Sequence, residues 1–485
     1  MSHIEAEPEK ASKPKHHHQA YATSGTIHPR AVRGLFRNVK WWAMGILLAF
    51  WHLAPFMRWD RGPGAPDQAI LIDMAGRRAY FFFIEIWPQE VYYLTGLLLI
   101  AAIALFFMSA LAGRLWCGFL CWQTVYTDLF VLVERLVVGD RNARIALDKQ
   151  KWSGAKLAKK GTVIGLWLLI SAACGIGFCL YFDDAFVMLG NILTGQAASS
   201  TYIAIAVVGG GCFIMAGLAR EQVCIYMCPY ARFQSAMFDE HSAIISYEAW
   251  RGEKRGPAKV GQDFTGRGHC VDCGICVQSC PTGIDIRNGN QLACIGCGLC
   301  IDACNTVMDR YGLPHGLITY DSTSNLEART RGEEHPKLKL LRPRTYVYLA
   351  ILSLIGGVML YSLTTRKVID VNVLHERSPL FVELSTGEIR NGYTYKVLNM
   401  QRKDRDLTVA VTGIDGATIE LVGENGDAAT AQLSVPGDTV GSFRLYVTAP
   451  AASTKGKKTP FEFVLTDNSD GTVVRTSTLF AAPGE

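Results

Sequence analysis

The sequence predicts a chain of 485 residues that combines an α-helical membrane bundle, a cysteine-rich domain and a C-terminal β-sandwich. Three observations carry that prediction. Hydrophobic residues make up 49% of the chain and charged ones only 19%, a balance that favours membrane insertion. Apolar stretches of bilayer-spanning length recur before residue 365. Beyond that point the pattern changes to short alternating runs separated by turn signals. Length allows two or three domains, and the net charge of +5 implies no nucleic-acid partner.

Residues 1–40 read as a flexible basic tail, with His16-His17-His18 as a weak metal-catching tract at most. Its basic stretch is long and no small-residue cleavage site follows the apolar run, so it does not read as a signal peptide. Apolar segments follow at 41–57, 89–113, 162–182 and 201–219, giving a four-span membrane domain over 41–219; a fifth lies at 346–364. The first is the shortest and carries His52, an ionisable group inside a span and so a candidate functional residue. Phe186 to Gly195 is apolar but too short to span. Cys174, Cys179 and Cys212 read as packing residues. Gly161-x3-Gly165 and Gly209-Gly210-Gly211 predict close helix contact.

Loop charge sets the expected orientation. Residues 114–161, read as a loop, carry nine Lys/Arg, including Arg114, Arg135, Arg144 and Lys156, whereas 183–200 has none. Five spans with the N-terminus inside satisfy this pattern. The N-terminus and the 220–345 region are then cytoplasmic, and the C-terminal region periplasmic, in a bacterial inner membrane.

All fifteen cysteines lie between Cys117 and Cys304. That distribution speaks for metal ligation under reducing conditions, not for disulfides. Two Cys-x3-Cys pairs, Cys117/Cys121 and Cys224/Cys228, each follow a span. On a helix, residues i and i+4 share a face, so four thiolates converge if the second and fourth spans pack together. Soft sulfur ligands select Cu(I), zinc or iron–sulfur clusters. Copper leads here, with Met227 as an added thioether; a further iron–sulfur centre follows, and structural zinc trails.

The 220–345 region holds Cys270-x2-Cys273-x2-Cys276-x3-Cys280-Pro281 and Cys294-x2-Cys297-x2-Cys300-x3-Cys304. Each run has bacterial ferredoxin spacing for a [4Fe–4S] cluster. Structural zinc usually pairs Cys-x2-Cys hooks instead. The fourth cysteine of each run crosses over in two-cluster ferredoxins. That rule assigns Cys270, Cys273, Cys276 and Cys304 to one cluster, and Cys294, Cys297, Cys300 and Cys280 to the other. Gly274, Gly296 and Gly298 permit the tight turns. Asn305 stands where proline usually follows the last cysteine. The region thus reads as a dicluster ferredoxin-like domain.

After the fifth span, residues 365–485 contain Leu407–Val411, Phe443–Val447, Phe461–Leu465 and Thr472–Phe480, with turns at Asp415-Gly416, Asn425-Gly426 and Asp470-Gly471. Seven or eight short strands at that spacing predict an immunoglobulin-like β-sandwich with a docking or assembly role. No dinucleotide fingerprint or Walker loop is present, so electrons arrive from another protein or from quinol.

The order of these parts, with Cys117-x3-Cys121-Trp-Gln-Thr-Val-Tyr-Thr-Asp and Gln222-Val-Cys224-x3-Cys228-Pro-Tyr-Ala-Arg-Phe-Gln, resembles the CcoG/FixG (RdxA) family of cytochrome c oxidase accessory proteins. Trp122 departs from the proline that Pro229 supplies in the second motif. The resemblance implies reduction of Cu(II) to Cu(I) for the copper centre of cbb3-type oxidase, with Cys117, Cys121, Cys224 and Cys228 as catalytic and copper-binding residues. It implies membrane lipid, copper ions, oxidase assembly factors or copper carriers, and an unnamed electron donor as partners; a homo-oligomer is left open. Two other classes fit the residues: a membrane ferredoxin similar to NapH or NosR that relays quinol electrons, and a redox-sensing assembly scaffold.

Overall fold

The structure, a computed structural model, describes residues 26–62, 64–333, 338–423, 428–454 and 456–483. The His16-His17-His18 tract and the Asn425-Gly426 turn lie outside them. The chain divides into two compact units, Met1–Met359 and Leu360–Glu485.

The first unit opens with α1 (Leu35–Leu53), whose first amides, of Phe36 and Arg37, donate to the Asp302 carboxylate at 3.2 and 2.7 Å. This carboxylate, distant in sequence, caps the helix as a local Asp would. A three-stranded antiparallel sheet follows, β1 (Ile70–Asp73), β2 (Arg78–Phe81) and β3 (Ile84–Ile86); no sequence pattern marks it. Next come α2 (Tyr92–Ala112), α3 (Leu115–Phe119), α4 (Trp122–Val137), α5 (Arg141–Lys149), α6 (Gly154–Cys179), α7 (Ala185–Thr194) and α8 (Ser199–Cys212). α8 continues in π-helical turns through Ala219, and a second π turn covers Val223–Met227. α9 (Pro229–Met237), β4 (Ile244–Tyr247), α10 (Ala249–Gly252), α11 (Ile275–Ser279), α12 (Leu299–Tyr311), β5 (Ile318–Asp321), α13 (Thr323–Thr330) and α14 (Pro343–Thr364) complete it, with β4 paired antiparallel to β5.

Among the described residues, five helical stretches are long and apolar enough to cross a bilayer: Pro88–Ala112, Leu115–Val137, Gly154–Cys179, Ser199–Ala219 and Pro343–Thr364. The set differs from the sequence expectation in two places. The first predicted span, 41–57, is α1, which falls outside the five. Residues 114–161, expected to be a loop, are almost wholly helical and include one of the five. The cause is pairing of charge inside the fold. Asp128 of α4 bonds Arg37 at 2.9 Å, and Glu134 bonds Arg144 and Arg220. Arg114, Arg144 and Lys156, counted as loop charges, are all buried. Tyr126 and Phe130 of α4 pack with Trp167 and Cys174 of α6.

α6 and α8 meet through Gly175 and Gly209: a Cβ on Gly209 would fall 2.7 Å from the Ser171 carbonyl oxygen. The expected contacts at Gly161, Gly165, Gly210 and Gly211 are not made, since no neighbouring atom lies within 4 Å of a Cβ there. The seam runs one face away from those glycines. α7 is ten residues long, too short to span. Asp184 caps it by accepting from the Phe186 and Val187 amides.

Among its described residues the second unit is a sandwich of nine strands, more than the seven or eight expected: β6 (Ile369–His375), β7 (Val382–Glu383), β8 (Glu388–Asn399), β9 (Arg405–Thr412), β10 (Thr418–Leu421), β11 (Thr430–Val435), β12 (Val440–Pro450), β13 (Lys458–Asp467) and β14 (Val473–Ala481). One sheet orders β10-β12-β8-β6 with β7 on β8, and the other β11-β9-β13-β14. Alternate inward residues, among them Tyr393, Tyr395, Leu407, Val409, Phe461 and Phe463, fill the space between the sheets.

Candidate metal centre and electron route

The two ferredoxin-type runs fold as turns followed by helices. Gly274 and Gly298 precede α11 and α12 in the left-handed conformation, at φ 65° and 72°, which costs glycine no Cβ clash. α11 then carries Cys276 and ends before Cys280-Pro281, whereas α12 carries Cys300 and Cys304 and runs on to Tyr311. Asn305 is what permits that continuation. A proline there would remove an N–H from the helix interior, and the Asn305 side chain instead accepts from the Gly316 amide at 3.2 Å.

One cavity is lined by Cys270, Cys273, Cys276 and Cys304, with Val271, Val307 and Met308 beside them. A second is lined by Cys280, Cys294, Cys297 and Cys300, with Cys276 on its wall. Each gathers three cysteines of one run and the last of the other. Burial pushes the Cys276 thiol up to about 11, and those of Cys294 and Cys304 to about 12. Such thiols give up their protons to a metal and not to water. The donor set, the apolar walls and the shared Cys276 fit two adjacent [4Fe–4S] clusters.

The Cys-x3-Cys pairs depart from the expected shared helix face. Cys117 sits on α3, but Cys121 is extended, at φ −64° and ψ 129°, and begins α4. Cys224 lies in the second π turn, and Cys228, at φ −78° and ψ 112°, begins α9. The two motifs thus share one backbone plan, a short helical turn and then an extended cysteine opening a new helix. Pro229 suits the first helical position. Trp122 holds the same position and stacks edge-on against Trp51 of α1, with ring centroids 4.5 Å apart. The four thiols are electrostatic neighbours: Cys121 and Cys228 both act on Cys117 and Cys224. Burial pushes Cys224 up to about 12. Among the described residues no three His, Cys, Asp or Glu side chains are close enough to share a single metal ion. The tetrad therefore does not form a ready three-ligand site.

The tetrad packs directly on the second cysteine run. Cys117 and Cys224 lie against Ile295, Cys297 and Leu299. Three residues to which the sequence assigned no role at the thiols, Arg114, Gln234 and Thr124, hold this junction. The Arg114 guanidinium donates to the carbonyls of Ala231 and Leu292, and to that of Cys294 at 3.2 Å. Cys117 Sγ donates to Gln234 Oε1 at 3.3 Å, and Gln234 Nε2 donates to Ser109. Thr124 Oγ1 donates to the Cys117 carbonyl at 2.6 Å. No spacing rule marks an arginine three residues ahead of a cysteine, although its burial beside four sulfurs does. His52 does not join the tetrad; its ring lies against Gly177 of α6.

A family model described as a 4Fe-4S dicluster domain matches residues 219–323, and one described as a 4Fe-4S binding domain matches 94–138. The immunoglobulin-like fold at the C-terminus of FixG matches 359–483. Protein RdxB of Cereibacter sphaeroides is 44% identical over 96% of this chain and 98% of its own. Protein RdxA of the same organism is 44% identical over 89% and 91%, and the nitrogen fixation protein FixG of Rhizobium meliloti 39% over 93% and 91%.

Proposed function

The chain belongs to the family of RdxA, RdxB and FixG, and from that premise we propose that this membrane iron–sulfur electron-transfer protein reduces Cu(II) to Cu(I) for the copper centre of a cbb3-type oxidase. In this reading Cys270, Cys273, Cys276 and Cys304 hold one cluster, and Cys280, Cys294, Cys297 and Cys300 the other. When bound, the clusters supply one-electron transfer at low potential. Cys117, Cys121, Cys224 and Cys228 receive copper as substrate, and thiolate sulfur favours the reduced ion. The N-terminus and the cysteine runs face the cytoplasm and the sandwich faces the periplasm, where it docks assembly partners or copper carriers.

One observation carries the reading: the tetrad's first cysteine turn lies backbone to backbone on the second run, with a Cβ at Gly118 falling 3.0 Å from the Cys297 Cα. A cluster held by that run would stand beside the tetrad and could supply it with electrons directly. The test is anaerobic metal analysis of wild type and of a Cys224→Ser/Cys228→Ser variant. About eight irons per chain should persist in both, while copper binding and cupric reduction disappear from the variant. Unchanged cupric reduction in the variant defeats the proposal.

A second reading has its own support. The 4Fe-4S binding model over 94–138 covers Cys117 and Cys121, and the lack of a three-ligand single-ion group suits a wider cluster cradle. The tetrad then holds a further iron–sulfur centre that relays quinol electrons to a partner. About twelve irons with no copper would select it.

A further inference from the structure

We infer that the electron donor is a membrane quinol held in a cavity between α4, α5, α6 and the turns after α8. The inference rests on the iron–sulfur reading above and holds for either acceptor. The cavity measures about 320 Å³, within the range of small-ligand sites, about 300–1,000 Å³. It lies where two of the apolar helical stretches end, at the start of Gly154–Cys179 and the end of Ser199–Ala219. Its wall is divided by polarity. Val163, Ile164, Trp167, Phe213 and Leu218 form the apolar part. Ile164 and Leu218 are also exposed on the surface of the helices, so this part is open to a prenyl tail arriving from the bilayer. The polar part holds His28, Glu134, Arg144, Asp148, Lys160 and Arg220. Glu134 pairs with Arg144 at 3.1 Å and with Arg220, whose guanidinium also lies 5.1 Å from the centre of the Trp167 ring. Asp148 pairs with His28 at 2.7 Å and with Lys160 at 2.9 Å. Arg144, Arg220 and Lys160 outnumber the two acids by one charge, but each is already engaged. That suits a neutral ring better than an anionic head-group.

His28 supplies the specific contact. Its side chain is only 10% exposed. The Asp148 carboxylate accepts from His28 Nε2 at 2.7 Å, which leaves Nδ1 as an acceptor. Among the described residues, His28 Nδ1 has no hydrogen-bond partner, and neither has the donor Arg144 Nε on the same wall. Buried polar atoms are normally satisfied, and a quinol hydroxyl both donates and accepts. The segment that bears His28 also reaches the first cysteine run. Ile27 packs on Gly283, where a Cβ would fall 2.9 Å from Ile27 Cδ1. The Arg30 amide donates to the Gln278 carbonyl at 2.8 Å, and Gln278 and Gly283 bracket Cys280 in sequence. Oxidation breaks both O–H bonds of the quinol and leaves the quinone, two protons and two electrons. The electrons pass singly to the iron–sulfur chemistry of the cysteine runs. His28 Nδ1 takes one proton, with Asp148 supporting the charged ring; the other leaves to water beside the partly exposed Lys160.

The experiment uses the full-length protein in detergent with decylubiquinone, a quinone ring on a short tail. Calorimetric binding to the oxidised protein needs no electron transfer and should saturate. His28→Leu should weaken it roughly tenfold. Leu218→Ala, at an exposed position where folding is not at stake, should weaken it roughly threefold. Unchanged iron content is the control for both. Absence of saturable binding, or binding that neither variant weakens, overturns the inference. So does displacement of decylubiquinone by equimolar phosphatidylglycerol, which makes the cavity a phospholipid site. Anaerobic decylubiquinol should bleach the cluster absorbance of the wild type, and at least roughly tenfold more slowly that of His28→Leu. Dithionite, which needs no such site, should bleach both alike. If dithionite bleaches neither, the iron–sulfur reading itself falls and takes this inference with it. If dithionite bleaches the wild type and decylubiquinol does not, only this inference falls.

Discussion

Gly118 of α3 and Cys297 of the second cysteine run touch through their backbones, and the Gly296 carbonyl oxygen stands nearer still, 2.9 Å from where a Gly118 Cβ would be. Neither neighbour is the end of a flexible side chain, so no rotamer change relieves a methyl group there. Gly118→Ala should force the turn and the run apart at a cost of about 1–3 kcal/mol. Thermal unfolding measures that cost. If copper is the acceptor proposed above, the same variant should keep its iron yet reduce copper more slowly in stopped-flow measurements. Wild-type delivery in a destabilised variant would show that electrons leave the second run elsewhere.

Arg114 sets up a separable test. Burial works against its charge, while the neighbouring Cys117, Cys294, Cys224 and Cys228 sulfurs support it. Reduction adds negative charge to a cluster held by such sulfurs, and a nearby cation favours that state. Arg114→Gln should therefore move the potential of the adjacent centre to more negative values. Arg114→Lys keeps the charge but loses the fork that reaches the Ala231, Leu292 and Cys294 carbonyls. It should leave the potential near wild type while lowering stability. Redox titration followed by electron paramagnetic resonance separates the two, and equal potentials in Gln and wild type would assign Arg114 to structure alone.

These two contacts mark the limit of what the sequence discloses. The thiolate runs are legible because cluster chemistry forces ligands into a spacing of three and four residues, and the sandwich because alternation exposes each strand. α4 was hidden. Arg135 counted as a loop charge and Asp128 and Glu134 lay in the stretch read as a loop; the partners of the two acids on α1, α5 and the segment after α8 make them tolerable within a helix. The sheet of β1 to β3 is built from strands of three or four residues, too short for periodicity to register. The helix break after Leu120 left no mark either, because Trp122 fills by packing the position that Pro229 fills by backbone preference.

Acid should loosen the junction between α2 and α14. Burial opposes charge on Asp239, but hydrogen bonds from Arg342, the His241 amide and Ser242 hold its carboxyl below the usual range. Arg344 adds a contact at 3.3 Å, and Arg342 also donates to the Ala110 carbonyl at 2.9 Å. A carboxyl with a lowered folded pKa contributes stability above its unfolded value, about 3.9, and loses it as pH falls through the lower folded value. Unfolding measured against pH should show this contribution intact at neutral pH and declining below about 4. Asp239→Asn should show the loss already at neutral pH, with a shallower decline in acid. Parallel pH profiles for the two proteins would remove Asp239 from the account.

Within the sandwich, Arg405 at the start of β9 and Asp467 at the end of β13 form an ion pair whose side chains are only 4% and 0% exposed. Asp467 also accepts from the Ser469 amide and hydroxyl at 2.7 and 2.6 Å, which shapes the turn into β14. Removing one partner of a buried pair strands the other charge at a cost of about 3–5 kcal/mol. The two deletions are not equivalent, because Asp470 lies 3.4 Å from Arg405 and remains after Asp467 is gone. Arg405→Met should therefore cost more than Asp467→Asn, since it leaves Asp467 buried with no cation. The double variant Arg405→Met/Asp467→Leu should recover much of the loss, as apolar replacement of a whole buried pair often does. Limited proteolysis of residues 360–485 in the full chain across temperature reads all three. A single-variant loss no greater than that of a surface pair, about 1 kcal/mol or less, would mean that water reaches the pair and that turn geometry, not charge, fixes these strand ends.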